Sequence, residues 1–185
     1  MSTRSALRTP QHSDNIGRAG DDTAAIELNL LSLQKGFRMN GTEVEASVRA
    51  AIARLHAAMA QVANGDVSAI KSLYSHTEDA TSFYGWGGYE KGWEAVSRRW
   101  DWAGAQFKGG TVRHENISTV ITSEMFFVTD VETFENQRVA DVETVTGWSN
   151  RVTHIFQREA GEWRLVHRHA NRLEAQFQPA AKLGR

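Results

Sequence analysis

From Thr42 onward the apolar residues Val44, Val48, Ile52, Leu55, Met59 and Val62 recur at intervals of three and four, which puts them on one helical face. Thr42 and Glu45 have the spacing of a capping box, and Asn64-Gly65 is a stop signal. Asp66 opens a short second helix bearing Ile70, Leu73 and Tyr74. Ala80 to Tyr84 reads as a short strand and Gly85-Trp-Gly-Gly88 as a loop. Lys91 to Ala103 reads as a third helix with Trp93, Val96 and Trp100 on one face, closed off by Gly109-Gly110. At Thr111 the period changes from 3.6 to two. Thr111 to Thr122 and Met125 to Gln137 predict strands joined near Ser123-Glu124, followed by Val142 to Arg158 and Glu162 to Arg172. Helices first and a long antiparallel meander last is an α+β pattern. The two prolines, at 10 and 179, lie outside every predicted strand, as uninterrupted ladders require.

The last hairpin carries the chemistry most open to reading. With a two-residue turn at Ala160-Gly161, Arg158 faces Trp163, Phe156 faces Leu165, His154 faces His167 and Val152 faces His169. Residues two apart on a strand share a face. His154, His167 and His169 would then meet among Phe156, Leu165 and Trp163. Imidazoles on an apolar face must find partners, which points to a pocket. The register depends on the turn, because a slip of one residue would separate the faces.

The chain has 185 residues, which bounds it to one domain with tails. Met1 to about Gly20 is polar and without periodicity, so residues 1–41 read as a partly disordered arm, with a short helix over 22–37 as one reading of its apolar positions. Residues 42–173 form the domain, and 174–185 a tail. A formal net charge of -1 gives no field favouring nucleic acid or an anionic membrane. With no cysteine, thiolate nucleophiles, disulfides and Cys-ligated zinc are excluded. No apolar run has the length of a membrane span, and the N-terminus lacks the apolar stretch of a secretory signal. A cytoplasmic protein is the expectation. Six Trp and eight Phe are an excess that lines either a core or a ligand cavity.

Three segments carry a family resemblance: Asp79-Ala-Thr-Ser-Phe-Tyr-Gly-Trp-Gly-Gly-Tyr-Glu-Lys-Gly-Trp93, Trp100-Asp-Trp-Ala103, and Arg151-Val-Thr-His154 with Gly161-Glu-Trp163 and Val166-His-Arg-His169. Together they resemble the SnoaL-like branch of the nuclear transport factor 2-like superfamily, the relatives of ketosteroid isomerase and polyketide cyclases. The match runs from about Thr42 to Leu173. The closing segment is also similar to the end of the association domain of calmodulin-dependent protein kinase. The resemblance implies a cone-shaped α+β barrel, with N-terminal helices packed in a strongly curved antiparallel sheet, and a homodimer through the outer sheet face. It leaves function open among isomerases, cyclases, dehydratases, epoxide hydrolases and non-catalytic oligomerisation modules.

Four residues are candidates for acid/base catalysis: His154, His167, Asp79 and Asp130. The histidines titrate near neutral pH, or they are core residues that fix the hairpin. Asp79 lies where the ketosteroid isomerase branch carries its proton-shuttling carboxylate, and walls of Tyr84, Trp86 and Trp100 would raise its pKa; alternatively it closes a turn in solvent. Asp130 and Glu132 alternate with Val128 and Phe134 on one strand face. Asp130 has the more apolar surroundings and is the better acid/base candidate. Tyr84, Trp86, Tyr89, Trp93, Trp100 and His169 are candidate ligand-binding residues. The glycine-rich loop lacks the spacing of a phosphate cradle. Three histidines facing one point would also suit a metal, although no carboxylate has a matching ligand spacing, and no metal or other cofactor is expected. The expectation is a homodimer that binds a small, cyclic, apolar molecule and moves a proton beside a carbonyl without a cofactor. A non-catalytic ligand-binding or oligomerisation module is the alternative.

Overall fold

The computed structural model describes residues 41–173. The arm up to residue 40, including the short helix the sequence allowed over 22–37, and the tail lie outside the described residues. Helix α1 (Gly41–Val62) buries Val44, Val48, Ala51, Leu55, Ala58, Met59 and Val62, so its apolar stripe is the predicted one with two alanines added and Ile52 only half-buried at its edge. Helix α2 (Ser68–Leu73) buries Ile70 and Leu73. Strands β1 (Thr81–Phe83) and β2 (Tyr89–Lys91) flank the glycine loop. Helix α3 (Trp93–Gln106) follows. The long strands are β3 (Thr111–Ile121), β4 (Met125–Gln137), β5 (Thr146–Glu159) and β6 (Glu162–Arg172). β2 was not anticipated from sequence: three residues of mixed polarity leave no period to read.

The six strands form one open sheet in the order β2-β1-β6-β5-β4-β3, curved around the helices. All pairs are antiparallel except β1 with β6, which is parallel. The inward face is set by alternation. On β4, Phe126, Val128, Asp130, Glu132 and Phe134 are all buried. On β5 the series continues with Val152, His154 and Phe156. The Phe126 and Phe156 rings stack with centroids 4.6 Å apart, and Trp163 meets Phe126 edge-on at 5.0 Å. The Trp163 Nε1–H donates to Ser47 Oγ at 2.9 Å, tying the hairpin to α1. Among the described residues, no helix is long and apolar enough to cross a membrane.

The hairpin register is as expected from Glu159↔Glu162 to Phe156↔Leu165 and then departs. Beyond that point Ile155 pairs with His167, His154 with Arg168, and Val152 with Ala170. Val166 is an extra residue, a β-bulge. Burial records the switch: Trp163 and Leu165 face the core, then Arg168 and Ala170 do. The bulge exchanges the faces of everything after it, so His167 and His169 point outward while His154 points inward.

Where α1 ends, Gly65 (φ 89°) lies against Gly104 of α3. A Cβ on Gly65 would stand 2.8 Å from the Phe107 carbonyl oxygen, and one on Gly104 would stand 2.8 Å from that of Gly65. The backbones approach this closely only because both residues lack a side chain. This contact holds the end of α3 against the turn that follows α1.

Candidate active site at the edge between the first helix and the third strand

Ile52, His56 and Met59 of α1 lie on the helix face that turns toward the sheet, at intervals of four and three. His114 alternates with Val112 on β3 and shares its face. The two imidazoles stack with centroids 4.0 Å apart and planes 10° from parallel. Asp130 of β4, only 2% exposed, closes the group. Its Oδ2 lies 3.4 Å from His56 Nε2, and its Oδ1 accepts a hydrogen bond from Asn116 Nδ2 at 3.0 Å. Asn116 thus orients the carboxylate, and the carboxylate orients His56. The His56 side chain keeps 28% exposure, so the group reaches solvent at the sheet edge.

His114 is neutral at pH 7. Burial first, and then the neighbouring His56 ring, hold its pKa down to about 4, against the upward pull of Asp130. Neither of its nitrogens has a protein partner. A neutral imidazole offers one N–H donor and one acceptor, and in His114 both are shielded from solvent and without a partner.

Behind this group lies a second, fully buried one. Arg168 Nη2 donates to Glu132 Oε2, and the ring of His154 approaches Glu132 Oε1 at 3.7 Å. Burial pushes the Glu132 carboxyl up, while the Arg168 guanidinium pulls it back down. His154 is held well below its ordinary value by burial and by Arg168, and so stays neutral. Tyr74 and Trp100 fill the space around these groups: the Tyr74 hydroxyl donates to Ser82, and Arg168 lies 5.8 Å from the Trp100 ring.

The sequence-predicted residues therefore separate into four places. Asp130 is in the edge site. His154 is in the buried network beside Glu132. His167 and His169 are on the outer face with Phe83 and Tyr89: the Phe83 ring lies 5.2 Å from Tyr89, 5.7 Å from His167 and 5.1 Å from His169. His167 Nδ1 also contacts Thr81 Oγ1 at 2.8 Å. Asp79 is 95% exposed, faces Lys91 at 3.9 Å, and has none of the aromatic walls expected for it. Of the aromatics, Trp100 and Tyr84 are core, and Trp93 stacks on His76 at 3.9 Å. Trp86 leans on Tyr84 and Phe107, and Tyr89 is 66% exposed. His56, His114 and Arg168 were missed. The available signals were His56 in register with Ile52 and Met59, and His114 in alternation with Val112.

His56, His114 and Asp130 each offer one metal-ligand atom, all within 4.8 Å of one another. Two His and one carboxylate is a donor set that suits iron(II). The stacking opposes it. Imidazole lone pairs lie in the ring planes, and an ion about 2.1 Å from both nitrogens would sit between two parallel planes, out of line with either lone pair. Metal binding here would require one ring to rotate. Proton transfer requires no such movement.

Residues 48–171 match the sequence profile of the SnoaL-like domain family. The chain belongs to that family. No curated protein matches it. Solved structures similar to this SnoaL-like domain include an NTF2-like superfamily protein from Salmonella enterica serovar Typhimurium, 14% identical, TM-score 0.65, covering 76% of this chain and 98% of that one. A ketosteroid isomerase-like protein from Erwinia carotovora is 15% identical with TM-score 0.60, covering 74% and 100%. An NTF2-like protein from Streptomyces avermitilis, provisionally assigned as a dehydratase, is 20% identical with TM-score 0.58, covering 72% and 98%. These likenesses establish the NTF2-like fold and no particular activity.

Proposed function

We propose that this SnoaL-like protein binds a small cyclic organic molecule at the α1–β3 edge and catalyses proton transfer there by general acid/base chemistry. The observation that carries the reading is the chain Asn116→Asp130···His56, with the neutral, unpartnered His114 beside it. His56 takes a proton from the carbon next to a carbonyl. Asp130, buried and held by Asn116, stabilises the imidazolium that results. The His114 N–H donates to the enolate oxygen as its charge develops. Returning the proton to another carbon isomerises the substrate; returning it to a departing hydroxyl dehydrates it. The names of the Erwinia and Streptomyces relatives are in keeping with these two outcomes.

One observation favours a second reading, a non-catalytic ligand-binding module: the interior behind the edge site is filled by Trp100, Tyr74, Glu132 and Arg168 rather than left open.

A probe that asks for a single proton abstraction from carbon separates the two readings. Ring opening of 5-nitrobenzisoxazole by the intact protein is expected to exceed the buffer rate. His56→Gln or Asp130→Asn should lower kcat roughly 100-fold. His167→Gln, on the outer face, should leave the rate unchanged, and so should a chelator. A rate in the wild type equal to that of the His56 variant would remove the catalytic reading and leave the binding module.

A further inference from the structure

The end of the domain away from the edge site carries a cleft of about 320 Å³. Its walls come from four places in the chain: Trp86 in the loop after β1, Trp102 and Phe107 at the end of α3, Val142 in the β4–β5 connection, and Trp148 on β5. The rings form one continuous wall. Trp86 lies 6.0 Å from Trp102 and 5.9 Å from Phe107, and Phe107 lies 6.0 Å from Trp148. Trp148 is backed by Phe134, stacked at 4.7 Å. At the rim, the Arg172 guanidinium lies 4.5 Å from the centre of the Trp148 ring. It is the one charged side chain of the lining, which holds no carboxylate. Among the described residues Arg172 has no acidic partner.

Such a set is unlike ordinary core. Trp102 is 45% exposed where a tryptophan would ordinarily be covered. The Trp86 Nε1–H is shielded from solvent and has no acceptor. A guanidinium stacked on an indole keeps its in-plane N–H fork free to bind a carboxylate with two hydrogen bonds. The rings accept a flat aromatic body by offset or edge contact. The volume is at the lower end for a small-ligand pocket, which fits two or three fused rings.

We propose that this cleft is a binding site for a planar aromatic carboxylate, its rings against Trp86, Trp102 and Trp148 and its carboxylate on Arg172. The site is separate from the proton-transfer pair. Phe134, behind Trp148, is four residues along β4 from Asp130, or about 13 Å at the rise of an extended strand.

The probe is 2-naphthoate, titrated into the intact protein and followed by tryptophan fluorescence and by indole N–H resonances. Saturable binding is expected, weakening as salt is added. Arg172→Gln should weaken it tenfold or more, while leaving binding of the neutral 2-naphthamide within about twofold. Trp102→Ala, a change at an exposed position, should weaken both ligands, and Asp130→Asn should weaken neither. Absence of saturable 2-naphthoate binding up to millimolar concentration overturns the proposal. So does an Arg172→Gln variant that binds it as the wild type does. Loss of binding in Asp130→Asn would place the ligand at the edge site instead, which also overturns this proposal and leaves the acid/base reading standing.

Discussion

Two histidines, His154 buried and His114 half-buried, bear on how this protein responds to acid. His154 and His114 are neutral in the fold, with burial holding both below the ordinary imidazole value. In the unfolded chain each takes up a proton near pH 6.5. As pH falls below that value the unfolded state binds protons that the folded state refuses, so stability is present above about pH 6.5 and lost on the way to pH 4. Glu132, pushed up by burial, works in the opposite sense, weakening the fold as pH rises through its folded value. A difference between proteins therefore isolates the histidine: the urea midpoint of His154→Gln should fall less between pH 7.5 and pH 4.5 than that of the wild type. Equal falls would show that His154 does not carry the effect. The turn residue Ala160 makes a second prediction at this scale. It sits at φ 48° beside Gly161 at φ 87°, the pair of left-handed conformations of a type I′ turn. Alanine is strained there and asparagine is not, so Ala160→Asn should stabilise the protein by about 0.5–1 kcal/mol, read from the urea midpoint.

Between elements, the decisive features are a bulge and a close approach. The Val166 bulge divides the hairpin into two registers and separates His154 from His167. It also delivers Arg168 to the inner face, where it meets Glu132. The Gly65–Gly104 contact holds the end of α3, which carries Trp102 and Phe107 of the aromatic cleft, against the turn after α1. Helix propensity by itself says that Gly104→Ala stabilises α3 by about 1 kcal/mol. The contact says the reverse, because the new Cβ would stand 2.8 Å from a backbone oxygen and 3.0 Å from Val67. Backbone cannot swing aside as a side-chain tip can. We expect Gly104→Ala to destabilise by about 2 kcal/mol or more in urea unfolding. Stabilisation would mean that the helices separate without cost.

For the whole molecule, the question is what covers the outer face of the sheet. Phe127, Val131, Ile155 and Val166 project there and are only half-buried within one chain. A sheet apolar on both faces needs cover on both, and the helices described lie on the inner one. A second copy of the chain, packed sheet to sheet, would supply it. Light scattering is expected to give twice the chain mass at micromolar concentration, and Ile155→Glu to give a monomer. A monomeric wild type would refute this arrangement.

The elements and their order were legible from one strand of chain, because helix and strand periods are local: Val44 to Val62 needed only spacing, and Phe126 to Phe134 only alternation. Asp130 was legible for the same reason, as a carboxylate within an apolar alternation. The turn at Ala160-Gly161 and the pairing next to it also followed from sequence. His56 and His114 did not. Each is a single polar residue on an otherwise ordinary face, 58 positions apart in the chain, and only the packing of α1 against β3 makes them neighbours. The fate of the closing histidines was likewise a tertiary decision. One extra residue in β6 costs little locally and exchanges the faces of all that follow. No local pattern marks it, because Val166 is as good a strand residue inside a bulge as outside one. The periods of the sequence determined which surfaces are apolar; the contacts between those surfaces determined which polar groups meet.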